Sequence, residues 1–154
     1  MAEGSGGLDF TDTEKFEVWM TFAQIAKDGA NGLYETGNWL LAAIMAQQYL
    51  EKTAKGIFGL YLGYDKPVMT HNIIDVLNFF LKKIPAFLPH RHRRLFNYLF
   101  FLFTNFRYPD FSKVLSIKHD LTVKHIGREQ TEELLGRCEE AYKWLMTLKP
   151  SKGK

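Results

Sequence analysis

Apolar residues spaced three or four positions apart recur in separate segments of this 154-residue chain, a spacing that predicts α-helices. The first segment opens at Thr11, three residues before Glu14, as in a capping box. No segment shows a strand pattern strong enough to build a sheet. The sequence therefore predicts an all-α fold, an antiparallel up-and-down four- or five-helix bundle. The apolar face of the first helix comprises Phe16, Trp19, Ala23, Ala26, Ala30 and Leu33.

The second and third helices are predicted from their boundaries and their apolar content. A helix over about 38–62 starts with eight consecutive nonpolar residues, so we expect it to lie centrally in the bundle. Its second half is amphipathic, and Glu51 and Lys55 have the spacing of an ordinary surface pair worth about 0.2–0.5 kcal/mol. Thr70 is placed to cap a third helix, which Pro85 ends.

Two further helices are expected in the second half of the chain. Pro89 suits the first turn of a fourth helix over about 90–107, and a final helix is expected over about 130–148. The segment 111–128 mixes apolar residues with lysines and histidines. It allows a short helix, a turn with extended flanks or an ordered loop.

Composition favours one domain in a reducing compartment. With 46% hydrophobic residues, we expect a helical domain over 11–149 with flexible ends at 1–10 and 150–154. A single cysteine, Cys138, excludes an intrachain disulfide and a CxxC zinc pair. There is no secretory signal pattern, and the most apolar run, 95–106, is shorter than the roughly 20 residues that span a bilayer. A cytoplasmic location is therefore expected.

Charge is distributed unevenly along the chain. Residues 1–36 carry 2 basic and 7 acidic side chains, whereas residues 37–110 carry 9 basic and 4 acidic ones. Such a division indicates that an anionic ligand would bind near the middle segment.

Four short motifs, in order along the chain, resemble those of the HEPN domain family. Residues 46–55 read AQQYLEKTAK, which is similar to the family's AQQxxEKxxK pattern, and Trp19 with Ala26-Lys27-Asp28 matches its first helix. Residues 70–73 resemble the TH-x-[IL] opening of the third helix, and residues 107–110 match the RYPD box. The resemblance implies a helical bundle that is often a homodimer, is often encoded beside a small nucleotidyltransferase and is associated with nucleotide or RNA binding.

Many relatives are ribonuclease toxins with an R-x4-6-H motif, and that motif is absent here. No arginine of the chain is followed by histidine five to seven positions later. The nearest substitutes are Lys113 with His119 and Lys118 with His125, but lysine lacks the planar guanidinium that binds phosphate through two hydrogen bonds. The sequence therefore predicts no catalytic residue, and it shows no metal or cofactor motif.

Several residues are nevertheless candidates for binding a phosphate group. The sequence His90-Arg91-His92-Arg93-Arg94 places up to five positive charges at a helix N-terminus, where a bound phosphate would relieve their repulsion; the alternative is a solvated basic turn. His71 precedes Asp75 by one turn, so this carboxylate could orient its ring or both could be structural. The full set of nucleotide or phosphate candidates is Arg91, Arg94, Arg107, Tyr108, Asp110, Lys52 and His71.

The fourth helix is apolar on nearly every side, which predicts self-association. Arg94 and Arg107 lie about 20 Å apart on this helix, at about 1.5 Å per residue, so one subunit does not easily join them, whereas an antiparallel dimer through this helix could. The candidate dimer-interface residues are Phe96, Leu99, Phe100 and Phe103.

These observations lead to a functional hypothesis with two alternatives. The chain is expected to be a non-catalytic, dimeric HEPN protein that binds a nucleotide or RNA phosphate group. Its expected partner is a small nucleotidyltransferase, in a prokaryotic toxin–antitoxin or defence pair. The alternatives are a ribonuclease with an atypical Lys/His site and a structural dimerisation module without a ligand.

Overall fold

Five α-helices make up most of this computed structural model, which describes residues 9–66, 68–107 and 126–151. No strand occurs within these ranges. The predicted all-α helical bundle is confirmed. The helices are α1 (Asp12–Glu35), α2 (Trp39–Leu62), α3 (Ile73–Phe80), α4 (His90–Arg107) and α5 (Arg128–Thr147), with a short 3-10 helix at Leu81–Lys83 after α3.

Helix α1 starts as predicted, with both hydrogen bonds of the capping box in place. The backbone N–H of Glu14 donates to the Thr11 hydroxyl at 3.0 Å, and that of Thr11 donates to the Glu14 carboxylate at 2.8 Å. The predicted apolar face packs against α2, with Phe16 and three alanines buried. A second apolar stripe, which the sequence analysis did not predict, lies exposed on another side of α1 at Val18, Phe22 and Ile25.

Helix α2 is the central element, as its apolar start predicts, and it contacts the other four helices. A tight turn at residues 36–38 reverses the chain from α1, and Gly37 has the positive φ of 81° that this turn requires. Small residues allow close packing, since at Gly59 the Tyr64 ring occupies the space that a Cβ would need. The Tyr64 hydroxyl donates to the Gly56 carbonyl at 2.6 Å.

The start of α3 differs from the prediction. The cap is Asn72, whose side chain accepts a hydrogen bond from the Ile74 backbone at 3.0 Å, whereas Thr70 lies outside the helix and accepts from the Asn72 backbone. The α-helix is also shorter than expected, because its last turn before Pro85 is the 3-10 helix. The segment 68–72 therefore precedes α3 as non-helical chain and does not form its first turn.

Helix α4 spans the predicted residues, but its own bundle buries more of its apolar surface than expected. Phe96 and Leu99 are 0% exposed and belong to the core, so neither has surface left for a partner. Phe100 and Phe103 are half-buried. The predicted α4 dimer interface therefore reduces to these two residues.

Helix α5 carries the expected core stripe and packs mainly on α2. Most of the ambiguous segment, residues 111–125, lies outside the described residues. Within the described ranges, no helix is long and apolar enough to cross a membrane.

Candidate functional site

A buried carboxylate on α2 is the centre of the main polar cluster. Glu51 is 3% exposed, and its Oε2 accepts from the Lys55 ammonium at 2.8 Å and lies 3.1 Å from the His71 Nδ1. Its Oε1 accepts from the Gln47 amide at 2.9 Å and more weakly from Gln48 at 3.4 Å. The Glu51–Lys55 pair is thus not the surface pair that its spacing indicated. Buried charges require such a full set of partners.

This cluster fixes the position of the His71 ring. Because the Nδ1 of His71 lies against the Glu51 carboxylate, its Nε2 is directed away from Glu51. The Gln47 amide also donates to the His71 backbone carbonyl at 2.9 Å, tying the segment before α3 to α2. Of the two readings that the sequence leaves open for His71 and Asp75, the structure favours the one in which Asp75 does not orient the ring: Glu51 contacts His71, and Asp75 accepts from the Thr70 hydroxyl at 3.3 Å.

The C-terminal end of α4 brings an aromatic ring and an arginine to the same cluster. The His71 ring centroid lies 5.1 Å from that of Phe103, with the two planes inclined at 48°. One turn later on α4, the Arg107 guanidinium carbon lies 5.6 Å from the same Phe103 centroid. His71 and Arg107, predicted separately, thus meet around one ring, and both side chains reach solvent. The Arg107 guanidinium, the His71 ring and the flat Phe103 ring make a surface suited to an anionic aromatic ligand.

An apolar groove lies at the segment that leads into His71. It has a volume of about 380 Å³, and Thr70, the neighbour of His71, forms part of its wall together with Asp75. Its apolar walls include Phe58, Met69 and Phe79, and the rings of Phe58 and Phe79 meet edge to face at 5.7 Å. A concave apolar surface next to a few convergent polar groups is the usual form of a small-molecule site.

The other predicted candidates lie apart from this cluster or outside the described residues. Arg91 and Arg94 are exposed at the opposite end of α4 from Arg107. Lys52 is half-buried on α2, one turn after Gln48. Tyr108 and Asp110 lie outside the described residues, as do the two substitute pairs, Lys113 with His119 and Lys118 with His125.

The basic sequence at the start of α4 contains fewer surface charges than predicted, because His92 faces the core. Its side chain is 2% exposed, its ring lies 5.4 Å from the Trp144 ring, and its Nε2 has no hydrogen-bond partner among the described residues. Burial lowers the pKa of His92, and the nearby Arg91 and Arg137 lower it further, against the opposing effect of Glu140. His92 is therefore neutral and is not part of an anion site.

A second cleft, of about 370 Å³, lies where α1, α2 and α5 meet. Its polar groups satisfy one another: Glu139 accepts from the Tyr49 hydroxyl at 3.0 Å and pairs with Lys27 at 3.1 Å. Burial and the Glu139 carboxylate raise the pKa of Tyr49. The arrangement joins α1 and α2 to α5, and each of these three polar side chains already has a partner within the bundle.

The sequence predicts His71 and Arg107 as candidates but not the buried groups around His71. It marks Gln47, Gln48, Glu51 and Lys55 as parts of a motif, and it predicts Glu51 and Lys55 as a surface pair. The signal that could identify them is a set of four polar residues at helical spacing on a helix otherwise expected to be buried. Among the described residues, no group of three or more metal-ligating side chains occurs.

Comparison with known proteins agrees with this architecture. The model of the HEPN domain matches residues 16–149. Two crystal structures are similar, each with a TM-score of 0.62 and each covering 87% of this chain and 98% of its own: ST0689, an archaeal HEPN homologue, at 19% identity, and TT1696 from Thermus thermophilus, at 22%. No curated protein matches the chain. The family model covers all five helices apart from the first residues of α1, and the chain belongs to the HEPN domain family.

Proposed function

We propose that this HEPN protein binds the phosphate group of a nucleotide or of RNA at the cluster of His71, Phe103 and Arg107. The observation that carries the proposal is that three segments of the chain meet at this cluster. Residues from the α2 motif, the segment before α3 and the end of α4 lie far apart in the sequence but meet around Glu51 and Phe103. A single binding site would account for the presence of all three motifs in this chain.

Each group has a distinct part in this site. Arg107 supplies a permanent positive charge with the forked donors that match phosphate oxygens. Phe103 offers a ring against which a base or sugar can pack, and base stacking on aromatic rings is worth about 1–3 kcal/mol. His71 adds a ring nitrogen whose direction is set by Glu51. The groove beside Thr70 supplies further apolar surface for the ligand.

The site suits binding more than cleavage, which agrees with the missing R-x4-6-H motif. The proposed setting is the one that the family resemblance implies: a dimeric partner of a small nucleotidyltransferase in a prokaryotic toxin–antitoxin or defence pair. These finer assignments rest on family analogy, because a fold by itself carries many functions.

Calorimetric titration with mononucleotides and short RNA tests the binding proposal. Arg107→Gln should weaken phosphate binding by about tenfold or more, the loss of one charge-assisted contact. The matched control is Arg93→Gln, which removes another exposed arginine at the other end of α4 and should leave binding unchanged. Equal effects of the two variants would show only general electrostatic attraction, and no binding by the wild type would favour a structural module.

One observation favours a second candidate, a metal-independent ribonuclease. A carboxylate lies against the Nδ1 of His71, as in histidines that transfer protons in enzymes, and His71 and Arg107 both contact the Phe103 ring. Cleavage of RNA without added metal, abolished by His71→Gln while thermal stability is retained, would establish this activity. Intact RNA in the presence of saturating protein would exclude it and leave binding alone.

A further inference from the structure

The exposed stripe on α1 has the character of a contact surface. Val18, Phe22 and Ile25 are spaced four and three residues apart and therefore share one side of the helix, and their exposures are 56%, 53% and 56%. The stripe leads into an apolar groove of about 270 Å³ whose walls include Phe10 and Tyr64. A group of large apolar side chains left open in this way marks an interaction site.

Negative charge accompanies the stripe along one edge. Glu14, Glu17 and Asp28 are exposed, and all three lie on the same side of α1 as one another. Of the two lysines on α1, Lys27 pairs with Glu139 of α5, and Lys15 lies next to Glu14 at the groove, so the acidic side chains outnumber the lysines along the stripe. A matching surface should therefore combine an apolar anchor with positive charges. An antiparallel α1–α1 contact between two copies is disfavoured, because it would set the two acidic edges against each other.

The same chain carries such a matching surface just before and within the first turn of α4. Phe87 is 81% exposed, and Arg91 and Arg94 are exposed and three residues apart, the same spacing as Glu14 and Glu17. This is the region that the uneven charge distribution of the sequence marked as basic.

We propose that the α1 face of one copy binds the start of α4 of a second copy, with Phe87 packed on the Val18–Ile25 stripe and the arginines paired with the acidic edge. This contact is independent of the proposed phosphate site. It assigns Arg91 and Arg94 to self-association rather than to ligand binding. It also moves the interface away from Phe100 and Phe103, which are half-buried. If each copy contributes both its α1 face and its α4 start to the same pair, the two contacts close a two-fold dimer. If each pair shares only one such contact, the remaining surfaces bind further copies and larger assemblies form.

Light scattering after size-exclusion chromatography at low salt tests the proposal with a charge swap. Glu17→Arg and Arg94→Glu should each weaken self-association by about tenfold. An equimolar mixture of the two variants should restore it, because the reversed α1 edge of one meets the reversed α4 start of the other. Raising the salt concentration should weaken the wild-type assembly.

Two further variants separate this interface from one on α4. Phe22→Asp should abolish association, whereas Phe100→Asp should leave it intact; circular dichroism checks that both remain folded. The proposal is overturned if the wild type is monomeric at every concentration it tolerates, if only Phe100→Asp produces monomers, or if the mixed charge-reversed variants stay apart.

Discussion

Replacing Lys55 with methionine tests whether the Glu51 cluster is the buried system that its geometry describes. Methionine keeps the length of the side chain and removes the ammonium, leaving a carboxylate whose side chain is only 4% exposed. Breaking a buried ion pair from one side costs about 3–5 kcal/mol. His71 and the Gln47 amide still contact Glu51, so we expect the lower end, about 3 kcal/mol. An exposed i,i+4 pair would be worth only about 0.3–0.5 kcal/mol.

Urea unfolding followed by circular dichroism distinguishes these values. A loss of about 3 kcal/mol should lower the unfolding midpoint by about 1–2 M urea, and the melting temperature of a chain this size by about 6–12 °C. The matched control is Lys27→Met, which breaks the pair with Glu139, where the two side chains are 33% and 36% exposed. Solvent screening should keep that loss below about 1 kcal/mol.

A double variant isolates the charge from the packing. In Glu51→Gln/Lys55→Met neither charge remains, and the neutral amide can donate to the His71 Nδ1 if the ring changes tautomer. Most of the stability lost in Lys55→Met should therefore return, since an apolar or neutral replacement of a buried pair is often close to neutral. The reasoning is refuted if Lys55→Met costs no more than Lys27→Met, or if the double variant is less stable than Lys55→Met alone.

Three other consequences of burial can be measured directly. Burial lowers the pKa of His92 in the folded state, so as pH falls through about 6.5 the unfolded chain binds a proton that the folded chain does not. The free energy of unfolding should therefore decrease below that pH, by up to about 1.4 kcal/mol per pH unit. Urea unfolding at pH 5 and pH 7 should show a smaller decrease for His92→Phe than for the wild type. Gly59→Ala should lower the melting temperature, at a cost of about 1–3 kcal/mol, because the added Cβ collides with the Tyr64 ring. Gly32→Ala has open space around its Cβ and should raise the free energy of unfolding by about 0.5–1 kcal/mol. Equal shifts in melting temperature for the two variants would contradict the close contact between Gly59 and Tyr64. Burial raises the pKa of the Cys138 thiol to about 12, so a thiol reagent at pH 8 should label it only after unfolding, and rapid labelling of the native protein would show that the core opens.

The helices could be predicted because their causes are local. The capping box at Thr11 and Glu14 needs only residues three positions apart, and it forms as expected. The central position of α2 follows from its continuous apolar start. The cap of α3 was assigned to Thr70 instead of Asn72 because both residues can cap a helix and two positions separate them.

The polar cluster could not be predicted from spacing because burial is decided by a distant segment. Glu51 and Lys55 have the same separation in the sequence whether α2 faces water there or not. They are buried because the segment before α3 lies against α2 and brings His71 and its carbonyl to Glu51 and Gln47. His92 shows the converse: its basic neighbours indicated a charged surface, yet its position on α4 turns it toward Trp144.

The origin of the proposed site residues differs from that of the R-x4-6-H motif described above, whose spacing can place an arginine and a histidine on one helix. A single helix holds such a pair at a separation fixed by its own backbone hydrogen bonds. Here Arg107 belongs to α4, whereas His71 precedes α3, so their separation depends on the bonds that tie His71 to α2. In the proposed site, the buried Gln47–Glu51–Lys55 cluster replaces the shared helix as the element that sets the geometry. Binding at this site would then require all residues of the cluster. This requirement gives a physical reason for a buried charged network on α2, at positions where apolar residues could fill the same space without the cost of burying charges.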